Sequence, residues 1–140
     1  MSSSFFKKQL SGFLYVIANV LESLFEMQSI SIFVYHSVGY NTAPTTISPE
    51  VFEEHILYLQ NRGYFFASLE DVLRWSKGEK KLPKKVVSIT FDDGYDDFRE
   101  YVLNIIQKYS IPVTLFAVGD SGKSRNFLQN NIPLLSKEEL

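Results

Sequence analysis

Cysteine is absent from these 140 residues, so neither a disulfide framework nor a thiolate metal site is available, and His, Asp and Glu are left as candidate ligands. Histidine is scarce as well. The chain has two, His36 and His55, and both precede its acidic cluster at residues 92–97. An excess of positive charge is also missing: the formal net charge of -2 offers no basic field to hold nucleic acid or an anionic membrane by charge alone. No apolar run is long enough to span a bilayer. The stretch LSGFLYVIANVL, which follows Lys7 and Lys8, is too short and is broken by Asn19 and Glu22. Residues 1–29 therefore read either as an uncleaved signal-like segment without a small-x-small cleavage site, or as an amphipathic helix with Phe13, Leu14, Ile17, Val20, Leu21 and Leu24 on one face. Either form would give weak membrane association at most.

What is present is a globular composition. A hydrophobic content of 45% over this length is enough for one domain with a core. After residue 29 the pattern alternates between strands and helices. SISIFVYH, residues 29–36, predicts a strand, and GYNTAPTTI a polar loop. In SPEVFEEHILYLQNRG, Ser48 caps a helix, Pro49 fits its first turn, Gly63 ends it, and Val51, Phe52, Ile56 and Leu59 form the apolar face. A brief strand, YFFAS, leads into a second helix, LEDVLRWSKG, and the lysine-rich EKKLPKK reads as a solvated connection. KVVSITF is the strongest strand. Residues 97–109 form the clearest helix, with Phe98, Tyr101, Val102, Ile105, Ile106 and Tyr109 on one face, and VTLFAV, residues 113–118, is the next buried strand. This order argues for parallel pairing in an α/β sheet or barrel. The remainder reads as a long polar loop opening a helix capped by Ser136, with Glu139 in the capping-box position; stopping there suggests an incomplete domain.

The chemistry concentrates in VVSITFDDGYDDF, residues 86–98, where a strand ends on two adjacent carboxylates. Like charges side by side repel, and a bound cation would compensate them. In parallel α/β folds catalytic groups gather at the carboxyl ends of strands, so Asp92, Asp93 and His36 are expected on one rim. Gly94 lets the backbone turn out of the strand, and one acid could hold a metal while its neighbour takes a proton. The bland alternative for Asp92 and Asp93 is a cap and a tight turn. For Asp96 and Asp97, capping and polarising the next helix is the preferred expectation. His36 reads as a pocket or a structural histidine, His55 as core edge, and Trp75 as core or interface. A phosphoryl-transfer site lacks its DxD spacing, and an EF-hand loop needs glycine sixth where DDGYDD has it third.

TFDDGYDD, set between a strand and a helix and followed by IPVTLFAVGD, resembles the first motif of the polysaccharide deacetylases, the NodB-homology or carbohydrate esterase family 4 domain. FVYHSVG, SPEVFEEHILYLQNRGY and SLEDVLRW resemble the branch that includes poly-N-acetylglucosamine deacetylases, so the resemblance runs from about Ile30 to the end. It implies the N-terminal part of a distorted (β/α)7 barrel, incomplete, over residues 30–140, and metal-dependent removal of N-acetyl or O-acetyl groups from a glycan such as a poly-N-acetylglucosamine, chitin-type or peptidoglycan sugar. By the same resemblance Asp92 is the catalytic base, Asp93 a ligand of a divalent metal, commonly zinc, and His36, Gly94 and Tyr95 line the pocket. A cell-envelope or extracellular setting is the family's.

The sequence departs from the family pattern: no histidine follows His55, so the downstream HxxxH pair that completes the metal site is missing, as are the later arginine, tryptophan and histidine motifs that shape the pocket and protonate the leaving amine. One carboxylate does not replace the usual three protein ligands of a catalytic zinc. The chain alone is therefore expected to be inactive or nearly so and to bind metal poorly. The competing reading is a non-catalytic remnant or interaction module with a NodB-like half barrel. Either way, open sheet edges and an uncovered apolar face are expected.

Overall fold

The computed structural model describes residues 28–118, 125–127, 130–136 and 138–139. The N-terminal helix or signal-like segment lies outside the described residues. The fold is built around one strand. Four β-branched residues in KVVSITF make it a strong strand former. It extends through both aspartates as Lys85–Asp93, numbered β5 in chain order, and is buried from Val86 to Phe91. From Val87 on it alternates, with the apolar Val87, Ile89 and Phe91 on one side and the polar Ser88 and Thr90 on the other. Along one edge lies β1 (Ser29–Tyr35), parallel and in register from Ser29 with Lys85 to Tyr35 with Phe91. The other edge is shared. Strand β4 (Phe65–Phe66) pairs with Val86 and Val87, and β6 (Val113–Ala117) takes over from Ile89 to Asp93. All three pairings are parallel, as the alternating pattern predicts.

Helix α1 (Pro49–Asn61) starts as expected, with the Ser48 hydroxyl accepting from the Val51 backbone N–H, and α2 (Leu69–Ser76) starts the same way on Ser68, whose hydroxyl accepts from the Asp71 N–H. α1 buries Phe52, Ile56 and Leu59, but Val51, predicted on the same face, is exposed because it sits one residue off the buried stripe in the first turn. The helix expected over 97–109 begins as a π-helical turn, Phe98–Val102, closed by the Leu103 N–H on the Phe98 carbonyl, and continues as α3 (Leu103–Tyr109). Phe98, Val102, Ile105 and Ile106 are buried from it.

Paired residues of parallel strands point to the same side of a sheet, and side chains alternate along each strand. On one side of β5, Ile89 and Phe91 meet the apolar faces of α1 and α3 together with Val38, Ile111 and Leu135. Phe91 is the hub of this layer: the Tyr35 ring stacks on it at 5.5 Å, and Phe52 and Phe98 meet it edge-on at 5.6 and 5.0 Å. On the other side are Ser88, Thr90 and Asp92, with Ile32, Val34, Phe65 and Phe116 on matching rungs. Those four apolar residues are 44–54% exposed, so this face is far less covered than the helix-packed one.

Two pairings were not anticipated. The polar loop after β1 contains a two-residue parallel pair, β2 (Ser37–Val38) with β3 (Thr46–Ile47), and the polar stretch near the C-terminus contains an antiparallel pair, β7 (Arg125–Phe127) with β8 (Asn130–Ile132). Strands this short leave no measurable periodicity in sequence. The expected capping box is half visible: Glu139 Oε2 accepts the Ser136 N–H at 2.9 Å, and residues 138–139 form a turn.

Candidate active site

The ladder carries β5 as far as Asp93, and then the backbone turns sharply. Asp93 and Gly94 adopt consecutive left-handed conformations, φ 69° and 72°. Asp tolerates this region better than most residues because its short polar side chain can bond locally, and glycine enters it without strain. Glycine is also needed sterically, since a Cβ at Gly94 would lie 3.3 Å from the Ala117 Cα and Cβ. The turn is pinned from the opposite side. The Gly94 carbonyl accepts from Leu135 N–H at 2.8 Å, Asp96 N–H donates to the Pro133 carbonyl at 2.9 Å, and Tyr95 bridges to Leu134. A rigid strand end thus presents the two acids.

The parallel register decides what stands beside them. β1 pairs with β5 up to Tyr35 and Phe91, so His36 follows one residue on, level with Asp92, and Asp92 pairs with Phe116 across the other edge. His36, Asp92 and Asp93 therefore share one rim at the strands' carboxyl ends. Both carboxylates are partly exposed, and among the described residues neither has a hydrogen-bond or ion-pair partner. Tyr95 and Gly94, expected to line the pocket, are both buried, with Tyr95 4% exposed. His55 lies elsewhere, exposed on α1 at the edge of the core, with its Nδ1 3.1 Å from the Tyr35 hydroxyl. Trp75 also lies apart, donating its indole N–H to Gln28 Oε1 at 2.8 Å.

Asp97 departs from its expected role. Its side chain makes no helix-capping hydrogen bond. It turns back against β2, where Oδ2 accepts from the Ser37 hydroxyl at 2.5 Å. Oδ1 is buried with no hydrogen-bond partner. Loss of hydration in this position is the largest influence on the group and lifts its pKa from 3.8 to about 6, against the opposing pull of the Ser37 hydroxyl and the nearby Val38 and Phe98 backbone N–H groups. Asp96 lies in the turn just before the helix, in an ion pair with Arg99 at 3.1 Å; Arg99 also reaches Glu139 at 2.9 Å. Nothing in the sequence marks Asp97 apart from Asp96. Its partner lies 60 residues away and is an ordinary serine.

A divalent ion needs several converging donors. Among the described residues no three His, Asp or Glu side chains stand together in such a group, so Asp93 is a single donor and the described residues do not by themselves complete a metal site.

Residues 79–138 match the family model described as polysaccharide deacetylase. Over 95 residues the chain is 34% identical to the poly-beta-1,6-N-acetyl-D-glucosamine N-deacetylase of Staphylococcus aureus (strain N315), covering 68% of this chain and 32% of that protein. The chain thus spans about a third of the length of the curated relatives it matches. Among solved structures, IcaB from Ammonifex degensii superposes with a TM-score of 0.71 at 25% identity, covering 80% of this chain and 46% of that one. The Streptococcus pyogenes deacetylase PplD, solved in complex with acetate, gives a TM-score of 0.58 at 27% identity, over 74% of this chain and 48% of that one.

Proposed function

The chain belongs to the polysaccharide deacetylase family, whose members are carbohydrate-acting hydrolases, and has a NodB-like fold over the part it spans; from that premise we propose that its site serves the removal of acetyl groups from an N-acetylated or O-acetylated glycan. Asp92 acts as general base, Asp93 is the residue that faces the family's divalent metal, and His36 lines the pocket beside them. The observation that carries this reading is the pair of adjacent, unpartnered carboxylates held on a pinned strand end, inside the segment that matches the family model. The name of the Staphylococcus aureus relative favours a poly-N-acetylglucosamine as substrate.

Hydrolysis of an acetamide forms a bond from water oxygen to the carbonyl carbon and breaks the C–N bond. One proton leaves the water and one arrives on nitrogen, giving acetate and a free sugar amine. A carboxylate at the position of Asp92 takes the first proton, and its fixed place on β5 keeps it within reach of a glycan lying across the rim. The metal implied by the family would polarise the carbonyl and acidify water. The described residues do not hold a set of donors that fits it, so no step is assigned to a metal on this chain. The 140-residue chain alone is expected to bind zinc weakly and release little or no acetate.

Grafting tests the reading. Replacing the matching segment of the Staphylococcus aureus deacetylase with residues 30–98 of this chain should preserve acetate release, and Asp92→Asn in that chimera should lower turnover by about 100-fold or more. A folded chimera without turnover, or one indifferent to Asp92→Asn, would support the non-catalytic remnant instead. Zinc-dependent acetate release by the isolated chain above its own Asp92→Asn control would overturn the expectation of inactivity.

A further inference from the structure

We propose that Asp97 is a positioning residue of this rim, a clamp that fastens the segment carrying His36 to the turn carrying Asp92 and Asp93. Its functional meaning rests on the deacetylase reading; its geometry does not. The backbone ladder between β1 and β5 ends at Tyr35 with Phe91, so beyond that pair no strand pairing sets the distance from His36 to the acids. The next link is between side chains. Ser37, directly after His36, donates to Asp97, which lies four residues after Asp93 in the same turn.

The polar groups around this link leave Asp97 one role. Ser37 is 1% exposed, and its oxygen accepts from Asn41 Nδ2 at 2.8 Å, which leaves its single hydrogen for Asp97. The Thr46 hydroxyl lies 3.0 Å from Ser37 Oγ and 2.5 Å from Asn41 Oδ1, and Asn41 Oδ1 also accepts the Ala43 N–H, so the β2–β3 loop is organised around the same serine. The Val38 and Phe98 backbone N–H groups also favour the charged carboxylate electrostatically. Only an acceptor fits opposite the Ser37 hydroxyl. The Tyr40 and Tyr101 rings, edge to face at 5.6 Å, pack across the same junction. From its own segment Asp97 faces the negative charge of Asp96 and the phenol of Tyr101; Ser37, Asn41 and Thr46 on the other side are neutral. Burying the carboxylate with one oxygen unpartnered is unfavourable when it is ionised. A residue selected for packing alone would not carry that cost, which supports a role in holding the site.

With two histidines in the chain, imidazole ring resonances report directly on the clamp. His36 and His55 are assigned in a ¹H–¹³C spectrum with a His55→Gln variant, and the Val38 amide is followed in a ¹H–¹⁵N spectrum. Asp97→Ala and Ser37→Ala should each displace the His36 ring and Val38 amide signals while leaving His55 in place, and Asp97→Asn, which keeps an acceptor, should restore the His36 position. In the unmodified protein the Val38 amide should show an inflection near pH 6 that Asp97→Asn abolishes. The inference fails if the His36 signal stays put in both folded alanine variants, or if it shifts equally in a Ser88→Ala control. Should the alanine variants not fold, absence of the Val38 inflection in the unmodified chain between pH 5 and 7 overturns it. None of these readouts uses turnover, so a failed deacetylase assay and a failed clamp are separate results.

Discussion

Between residues 92 and 97 the chain carries two pairs of adjacent aspartates, and the fold treats them in opposite ways. Asp92 and Asp93 end a strand that is paired on both edges, and their side chains engage nothing among the described residues. The second pair is absorbed by structure: Asp96 by Arg99, and Asp97 by the Ser37 hydroxyl. Local sequence is nearly the same in both pairs. What separates them is the partner that each backbone position brings within reach. An acid whose hydrogen bonds are already taken contributes to geometry, whereas a free acid on a rigid rim is available to a ligand or a proton.

Phe91→Ala, one residue before the free pair, removes the hub of four aromatic rings and should destabilise the fold by about 3–5 kcal/mol in urea unfolding, disordering both pairs together. Gly94→Val, between the pairs, places a branched side chain at φ 72° with Ala117 at 3.3 Å, and should cost about 1–3 kcal/mol.

A smaller effect sharpens the contrast through pH. The folded-state pKa of Asp97 is raised to about 6 from 3.8, so its contribution to stability is fully present below about pH 4 and is lost as pH rises through 6. The melting temperature of Asp97→Asn relative to the unmodified protein should therefore climb between pH 4 and 7 and level off above. A flat difference would mean that Asp97 is more hydrated than this geometry implies. The smallest expected effect is at the free pair. Asp92→Asn removes no hydrogen bond among the described residues, and should change stability by less than about 0.5 kcal/mol even where it abolishes turnover in the grafted enzyme. A larger loss would show that Asp92 is structural after all.

Much of this organisation was legible in sequence. The β-branched run of β5, the Ser48 cap and the helical stripe from Phe98 to Ile106 are local signals, each set by propensity or periodicity within a few residues, and each formed as expected. The parallel α/β order placed His36 and the two acids on one rim before any coordinates, because parallel strands finish at the same end of a sheet. The short β2–β3 and β7–β8 pairs were not legible, since two- and three-residue strands form only when the rest of the chain holds them side by side. The π-helical turn was likewise hidden: its shifted hydrogen bond leaves the apolar spacing almost unchanged.

The sequence by itself determined where the acids are, which strand delivers them and which histidine can stand beside them, because those depend on residue order and on strand direction. Tertiary structure alone decided which aspartate is free and which is held. That choice is made by Ser37, distant in sequence and brought close only when β1 pairs with β5, and by the loss of water around Asp97 that follows.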